Sequence, residues 1–179
     1  MIKSKKDYLE YVAADNTANR IGKSLHKKHL ITWRYLKCLR KLEYVINCKR
    51  GVFAKLRQNL LKLKLYNLSV KSGLTIPPNT FGKGLYIPHH GAIIVNPTAR
   101  FGDNCVIQSG VNVSNDVVGG NHLYLGTGSK LMIGVKIADH CIIGANAVVT
   151  KDIAEENVVV GGIPAKIISS NGFKDRKTV

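Results

Sequence analysis

The stretch VNPTARFGDNCVIQSGVNV, residues 95–113, decides the fold, because Val95, Phe101, Ile107 and Val113 stand six residues apart. The same column continues through Leu125, Leu131, Ile137, Ile143 and Val149, broken at Gly119 alone. Two residues ahead of each member runs a second column of small or branched side chains: Ile93, Ala99, Cys105, Val111, Val117, Leu123, Ser129, Val135, Cys141 and Ala147. A helix repeats at about 3.6 residues and a strand at 2, so a sustained period of six calls for short strands joined at corners and stacked coil on coil. The chain is therefore predicted to form a parallel β-helix.

Residues two apart on a strand point to the same side, so both columns face the axis of a prism. Three strands per coil give an eighteen-residue turn, and residues eighteen apart stack at about 4.8 Å. The third position after each member of the first column should turn a corner. It reads Thr98, Asn104, Gly110, Asp116, His122, Gly128, Gly134, His140, Asn146 and Asp152, mostly turn formers. One coil cannot bury its own faces, which is why many repeats are needed.

Upstream of the β-helix the composition changes. Residues 1–72 hold 18 Lys and Arg against 4 Asp and Glu, whereas residues 73–179 hold 9 against 7. In the basic part, Leu30, Trp33, Leu36, Leu39, Leu42, Val45 and Ile46 recur at helical spacing, as do Val52, Leu56, Leu60, Leu63, Tyr66 and Val70. Both stretches read as amphipathic helices, divided at Gly51 and closed by Gly73 with Pro77 and Pro78. The expected organisation is a helical segment over 1–72, a β-helix over 73–168 and a tail over 169–179. The apolar stripes can pack against the β-helix or a neighbouring subunit with the cations solvated, or they can meet an anionic membrane face. Nucleic acid is not expected, since no zinc-finger, RNA-binding or helix-turn-helix pattern accompanies the charge.

No apolar signal region or membrane-spanning run is evident, so the expected location is cytoplasmic, with the inner membrane face as a peripheral option. The four cysteines form no C-x-x-C and are expected to be reduced. His122 and His140, eighteen apart, should stack at one corner. No carboxylate or thiolate cluster completes a metal site around them, nor around His26 and His29, and no metal is expected.

The chemistry is expected where the ladder slips. Phe81 and Ile87 are six apart, but Val95 follows Ile87 by eight, so two residues are inserted within Pro88, His89, His90, Gly91 and Ala92. An insertion between rigid strands makes a bulged corner whose side chains the scaffold aims, and here it carries two imidazoles beside a glycine. Histidine titrates near neutrality and is the commonest general acid or base.

The hexapeptide ladder, with GLYIPH at 84–89, IGANAVVTKD at 143–152 and GGIPAK at 161–166, resembles the serine acetyltransferase branch of the left-handed β-helix acyltransferases over roughly residues 74–168. The resemblance implies a left-handed coil, a homotrimer with sites between subunits, acetyl-CoA as donor and direct transfer to a hydroxyl. It places His89 on the catalytic histidine. His89 would take the proton of the attacking hydroxyl and return it to the departing thiolate, with backbone N–H groups at the bend holding the oxyanion. Small residues at Gly144, Ala145 and Ala147 would let a pantetheine arm lie close along the coils; the resemblance places the donor there with Lys166 near the nucleotide phosphates, and Lys151 is a second, weaker candidate for that electrostatic role. His90, Asn115 and Asp116 are the candidate acceptor-binding residues.

Three departures bear on the acceptor. Pro88 stands where serine acetyltransferases carry an Asp before the catalytic histidine, and Thr75 is the nearest match to the acid that orients the imidazole. Residues 114–119 keep register where the family inserts a loop bearing an Arg-His-Pro motif. The helical part is also shorter than in that family. These absences turn the expectation toward a sugar hydroxyl of a surface polysaccharide or its precursor, which the basic helices would suit. The alternatives are serine O-acetylation and a non-catalytic β-helix serving as an assembly module.

Overall fold

The computed structural model describes residues 1–22 and 30–173, which leaves His26 and His29 outside the described residues. Among the described residues three helices, α1 (Lys5–Ala18), α2 (Ile31–Cys48) and α3 (Val52–Ser72), precede thirteen short strands. The strands form three faces. The first holds β1 (Leu74–Thr75), β2 (Ile93–Val95), β5 (Asn112–Val113), β8 (Lys130–Leu131) and β11 (Val148–Val149). The second holds β3 (Arg100–Phe101), β6 (Val118–Gly119) and β9 (Lys136–Ile137). The third holds β4 (Val106–Ile107), β7 (Tyr124–Leu125), β10 (Ile142–Ile143), β12 (Val159–Gly161) and β13 (Lys166–Ser169), where the β12–β13 pair is antiparallel and all other strand pairs are parallel. Partners such as Ile94 and Asn112, Val118 and Lys136, or Val106 and Tyr124 stand eighteen apart, as the six-residue period requires.

Both predicted columns are buried along their whole length. Gly119 interrupts the first because Phe101, stacked on Phe81 at 4.6 Å between ring centroids, fills its space. A Cβ at Gly119 would lie 2.2 Å from the Phe101 ring. Eight of the ten corner positions adopt positive φ, between 54° at His122 and 78° at Gly110. That backbone favours Gly, Asn, Asp and, to a lesser extent, His, which explains the composition of the corners. One corner also carries an Asx ladder: Asn121 Oδ1 accepts from the Asp103 N–H at 2.9 Å, and Asp139 Oδ1 accepts from the Asn121 N–H at 2.7 Å. His122 and His140 stack there at 4.8 Å.

Helix α1 had no stripe to betray it in the sequence; its legible sign is the cap, where Ser4 Oγ accepts from the Asp7 N–H and Asp7 Oδ2 accepts from the Lys3 N–H. Helix α2 packs as expected, burying Trp33, Leu36, Leu39, Leu42 and Val45. Tyr35 Oη donates to the Ile76 carbonyl and accepts from the Ile76 N–H, docking the helix on the first coil. Helix α3 narrows the alternatives left by the sequence. Its buried side chains are Leu61, Leu65 and Leu68, while the stripe from Val52 to Val70 points outward and does not pack against the β-helix. Two apolar stripes share α3, and the more regular of them is the exposed one.

Arg40 closes the joint between helices and coils. Its five N–H groups meet Asp15 through two bonds, Glu43, and the carbonyls of Phe81 and Gly82. Asp15 also accepts from the Leu85 N–H, and Glu43 from the Asn79 N–H. Burial, the largest influence, pushes the Asp15 carboxyl up in spite of Arg40.

Candidate active site

The slip in the ladder is a slip in the coil. Across it, Phe81 bridges to Phe101 and Tyr86 to Val106, each pair twenty residues apart instead of eighteen. The two extra residues bulge at the edge between the third and first faces, and His89 and His90 are exposed on that bulge. Among the described residues no hydrogen bond is recorded to either imidazole.

The helical segment holds this bend at both ends. Asn19, the C-cap of α1, donates through Nδ2 to the Leu85 carbonyl at 2.8 Å, and its Oδ1 accepts from the Ile87 N–H at 3.2 Å. The far side is tied to the end of α3. There the Gly91 N–H donates to the Ser72 carbonyl at 2.8 Å and the Ile93 N–H to that of Gly73 at 3.0 Å. Gly73 is left-handed, with φ 74°, and a Cβ on it would lie 2.7 Å from the Gly91 carbonyl carbon. Sequence reading took Gly73 for a helix stop and missed Asn19. The only signal for Asn19 was its place at the end of a helix that had itself escaped notice.

The three edges of the prism sort the candidate residues. Gly144 and Ala145 follow β10 and so share the edge of His89, about three coils or 14 Å further along. A Cβ on Gly126 would lie 2.5 Å from the Ile143 carbonyl oxygen, and one on Gly144 would lie 3.0 Å from that of Val160. The hairpin of β12 and β13 closes this end of the prism, with Lys166 exposed and paired in register with Gly161. Ala145 is exposed and Gly144 half-buried.

Asn115, Asp116 and Lys151 fall on a different edge, between the first and second faces. Asp116 is exposed there, with its N–H donating to Thr98 Oγ1. Lys151 is exposed beside Asp152, whose Oδ1 accepts from the Lys136 N–H. One chain therefore gathers His89, His90, Gly144, Ala145 and the Lys166 hairpin along one edge, and does not bring Asn115, Asp116 or Lys151 to it. Residues 114–119 run on in register into β6, without a loop. The four cysteines are free thiols, and burial pushes Cys105 and Cys141 up. No cluster of three His, Cys, Asp or Glu side chains fit to hold a metal occurs among the described residues.

No family model matches the chain. It is 30% identical over 112 residues to a serine acetyltransferase of Synechococcus elongatus, covering 58% of this chain and 46% of that protein. It is 31% identical over 118 residues to one of Staphylococcus epidermidis, covering 60% of this chain and 54% of the relative. The chain thus spans about half the length of the curated relatives it matches. Among solved structures, a serine acetyltransferase of Brucella abortus in complex with coenzyme A superposes with a TM-score of 0.75 at 22% identity, covering 94% of this chain and 70% of that one. A second structure of the Brucella abortus enzyme gives a TM-score of 0.72 at 21% identity, covering 94% of this chain and 71% of that one. The likeness shows the fold, a hexapeptide-repeat left-handed β-helix behind three helices.

Proposed function

We propose that the chain is an acetyl-CoA-dependent O-acetyltransferase with His89 as general base. The observation that carries this reading is the shared edge: the exposed bend bearing His89 stands on the same edge as the exposed Ala145 and the hairpin bearing the exposed Lys166. A thioester arm can lie against such an edge with its reacting carbonyl at the bend and its phosphates beside a cation. His89 accepts the proton of the acceptor hydroxyl as its oxygen attacks the thioester carbonyl, and returns it to the sulfur as the carbon–sulfur bond breaks. Backbone N–H groups of the bend stabilise the oxyanion. Asn115, Asp116 and Lys151 join this machinery from the neighbouring subunit of a homotrimer, since their own edge points elsewhere.

Serine is the acceptor best supported, because the relatives matched carry the name serine acetyltransferase, and this overturns the order of preference drawn from the sequence. A sugar hydroxyl is the second reading. It rests on Pro88 before the base and on the uninterrupted register at residues 114–119. The basic helices as a contact for the inner membrane face belong to the same proposal.

The test is thiol release from acetyl-CoA with serine, nucleotide sugars and oligosaccharides as acceptors, for the native chain and for His89→Ala. General-base loss should lower kcat by about 10²–10⁴. His89 is exposed, so the circular dichroism of the variant should not change. Near-native turnover by the variant removes His89 from the chemistry, and acetylation of sugars without acetylation of serine reverses the choice of acceptor.

A further inference from the structure

The outer stripe of α3 is the most exposed apolar surface of the helical segment. Val52, Leu56, Leu60, Leu63, Tyr66 and Val70 are between 58% and 83% exposed. At 3.6 residues per turn they lie opposite the face that Leu61, Leu65 and Leu68 bury. The helix also carries Lys55, Arg57, Lys62, Lys64 and Lys71, and no acidic residue. Its geometry puts Lys55 and Lys62 along one flank of the stripe and Arg57, Lys64 and Lys71 along the other.

The second flank merges with the charge of α2. A crevice of about 270 Å³ sets Arg34, Lys64 and Lys71 beside Leu60 and Leu63 of the stripe. An adjoining crevice of about 440 Å³ adds Lys37 and Lys41. No carboxylate lines either crevice, and none of these cations takes part in an ion pair among the described residues. Of the four acids in the segment, Asp15 and Glu43 are buried against Arg40.

We propose that the outer face of α3 docks on an anionic phospholipid bilayer. An apolar stripe flanked on both sides by long cationic side chains suits that surface: the stripe enters the acyl boundary while lysine and arginine reach the phosphates at its margins. A second copy of α3 is a poorer occupant, because it would face five cations with five more and bring no carboxylate. A polyphosphate chain leaves the apolar stripe without a partner. The inference deepens the membrane-contact part of the proposed function, and stands whichever hydroxyl is acetylated. Its consequence for the site is spatial. The carboxyl end of α3 holds the bend of His89 through Ser72 and Gly73, so a docked helix brings the candidate base close to the lipid surface.

The test is flotation of the full chain with vesicles of phosphatidylcholine alone or mixed with phosphatidylglycerol. Partitioning should favour the anionic vesicles by about tenfold or more and collapse at high salt. The double substitution Leu56→Gln with Leu63→Gln, at side chains 58% and 59% exposed, should leave the fold intact and lower partitioning by about tenfold or more. Acetyl transfer to a soluble acceptor, followed separately, should be unchanged by that substitution. Equal vesicle binding by native and double variant overturns the proposal, as does failure of the native chain to bind anionic vesicles. Loss of oligomeric size in the variant without lipid binding by the native chain assigns the stripe to a second copy instead.

Discussion

Arg40→Met tests whether the buried charge cluster is what joins the helical segment to the β-helix. Arg40, Asp15 and Glu43 are each 1% exposed, so the substitution leaves two carboxylates in the interior with no cation. It also removes the donors to the carbonyls of Phe81 and Gly82, while the N–H bonds from Leu85 and Asn79 remain. Breaking a buried pair from one side costs about 3–5 kcal/mol, a large fraction of the 5–15 kcal/mol typical of a folded protein. The assay is urea unfolding followed by the fluorescence of Trp33, the single tryptophan, which is buried in α2. The variant should also respond to pH. With Arg40 gone, only the backbone N–H bonds still oppose the effect of burial on Asp15, and its folded pKa rises further above the unfolded value. The folded state then binds more protons than the unfolded one between those two values, and the variant regains stability as pH falls through that window. A loss below about 1 kcal/mol, or a loss that does not shrink in acid, would refute the reasoning.

Two further substitutions probe the bend and the corner ladder. Gly73→Ala puts a side chain where φ is 74° and where its Cβ would press on the Gly91 backbone. It should cost about 1–2 kcal/mol from the left-handed backbone alone, and kcat should fall by more than global destabilisation explains, as read by comparing turnover with the unfolding midpoint. Asp139 is held below the usual carboxylate range, first by the Asn121 side-chain amide and then by its N–H. It contributes stability above its unfolded pKa that is lost as pH falls through the lower folded value, so Asp139→Asn should flatten the acid limb of the stability profile. An unchanged acid limb removes the ladder from the pH response.

The coil was legible because it is a local code. Two inward columns and a corner position recur every six residues, and each is filled by residues that its burial or its backbone demands. The defects were legible for the same reason: the twenty-residue bridges at Phe81 and Tyr86 are the two inserted residues seen in three dimensions. What escaped the sequence was not periodic. Arg40 stands at a buried position of a basic helix, and nothing in a run of lysines and arginines distinguishes the one that meets two carboxylates. Helix α3 carries two apolar stripes, and spacing alone does not say which of them faces the coil. Asn19 acts on Leu85 and Ile87 across 66 and 68 residues, a contact that no local pattern contains.

The edges of a prism point away from one another, and this constrains how such a fold can hold a site. The edge between the second and third faces is filled by its own Asx ladder and the stacked pair of His122 and His140. At the edge of His89 the bend is fastened instead by parts outside the coil, at Asn19 and at the end of α3. On the proposed mechanism the coil supplies the donor's track and the helical segment fixes where the base stands. Changes in the helices then move the base relative to the track without disturbing the ladder. A chain of this class can therefore alter its acceptor through the helical segment and the bend while the repeat stays the same. Pro88 and the cationic surface of α3, which depart from the pattern or from neutrality, both lie in the parts free to vary.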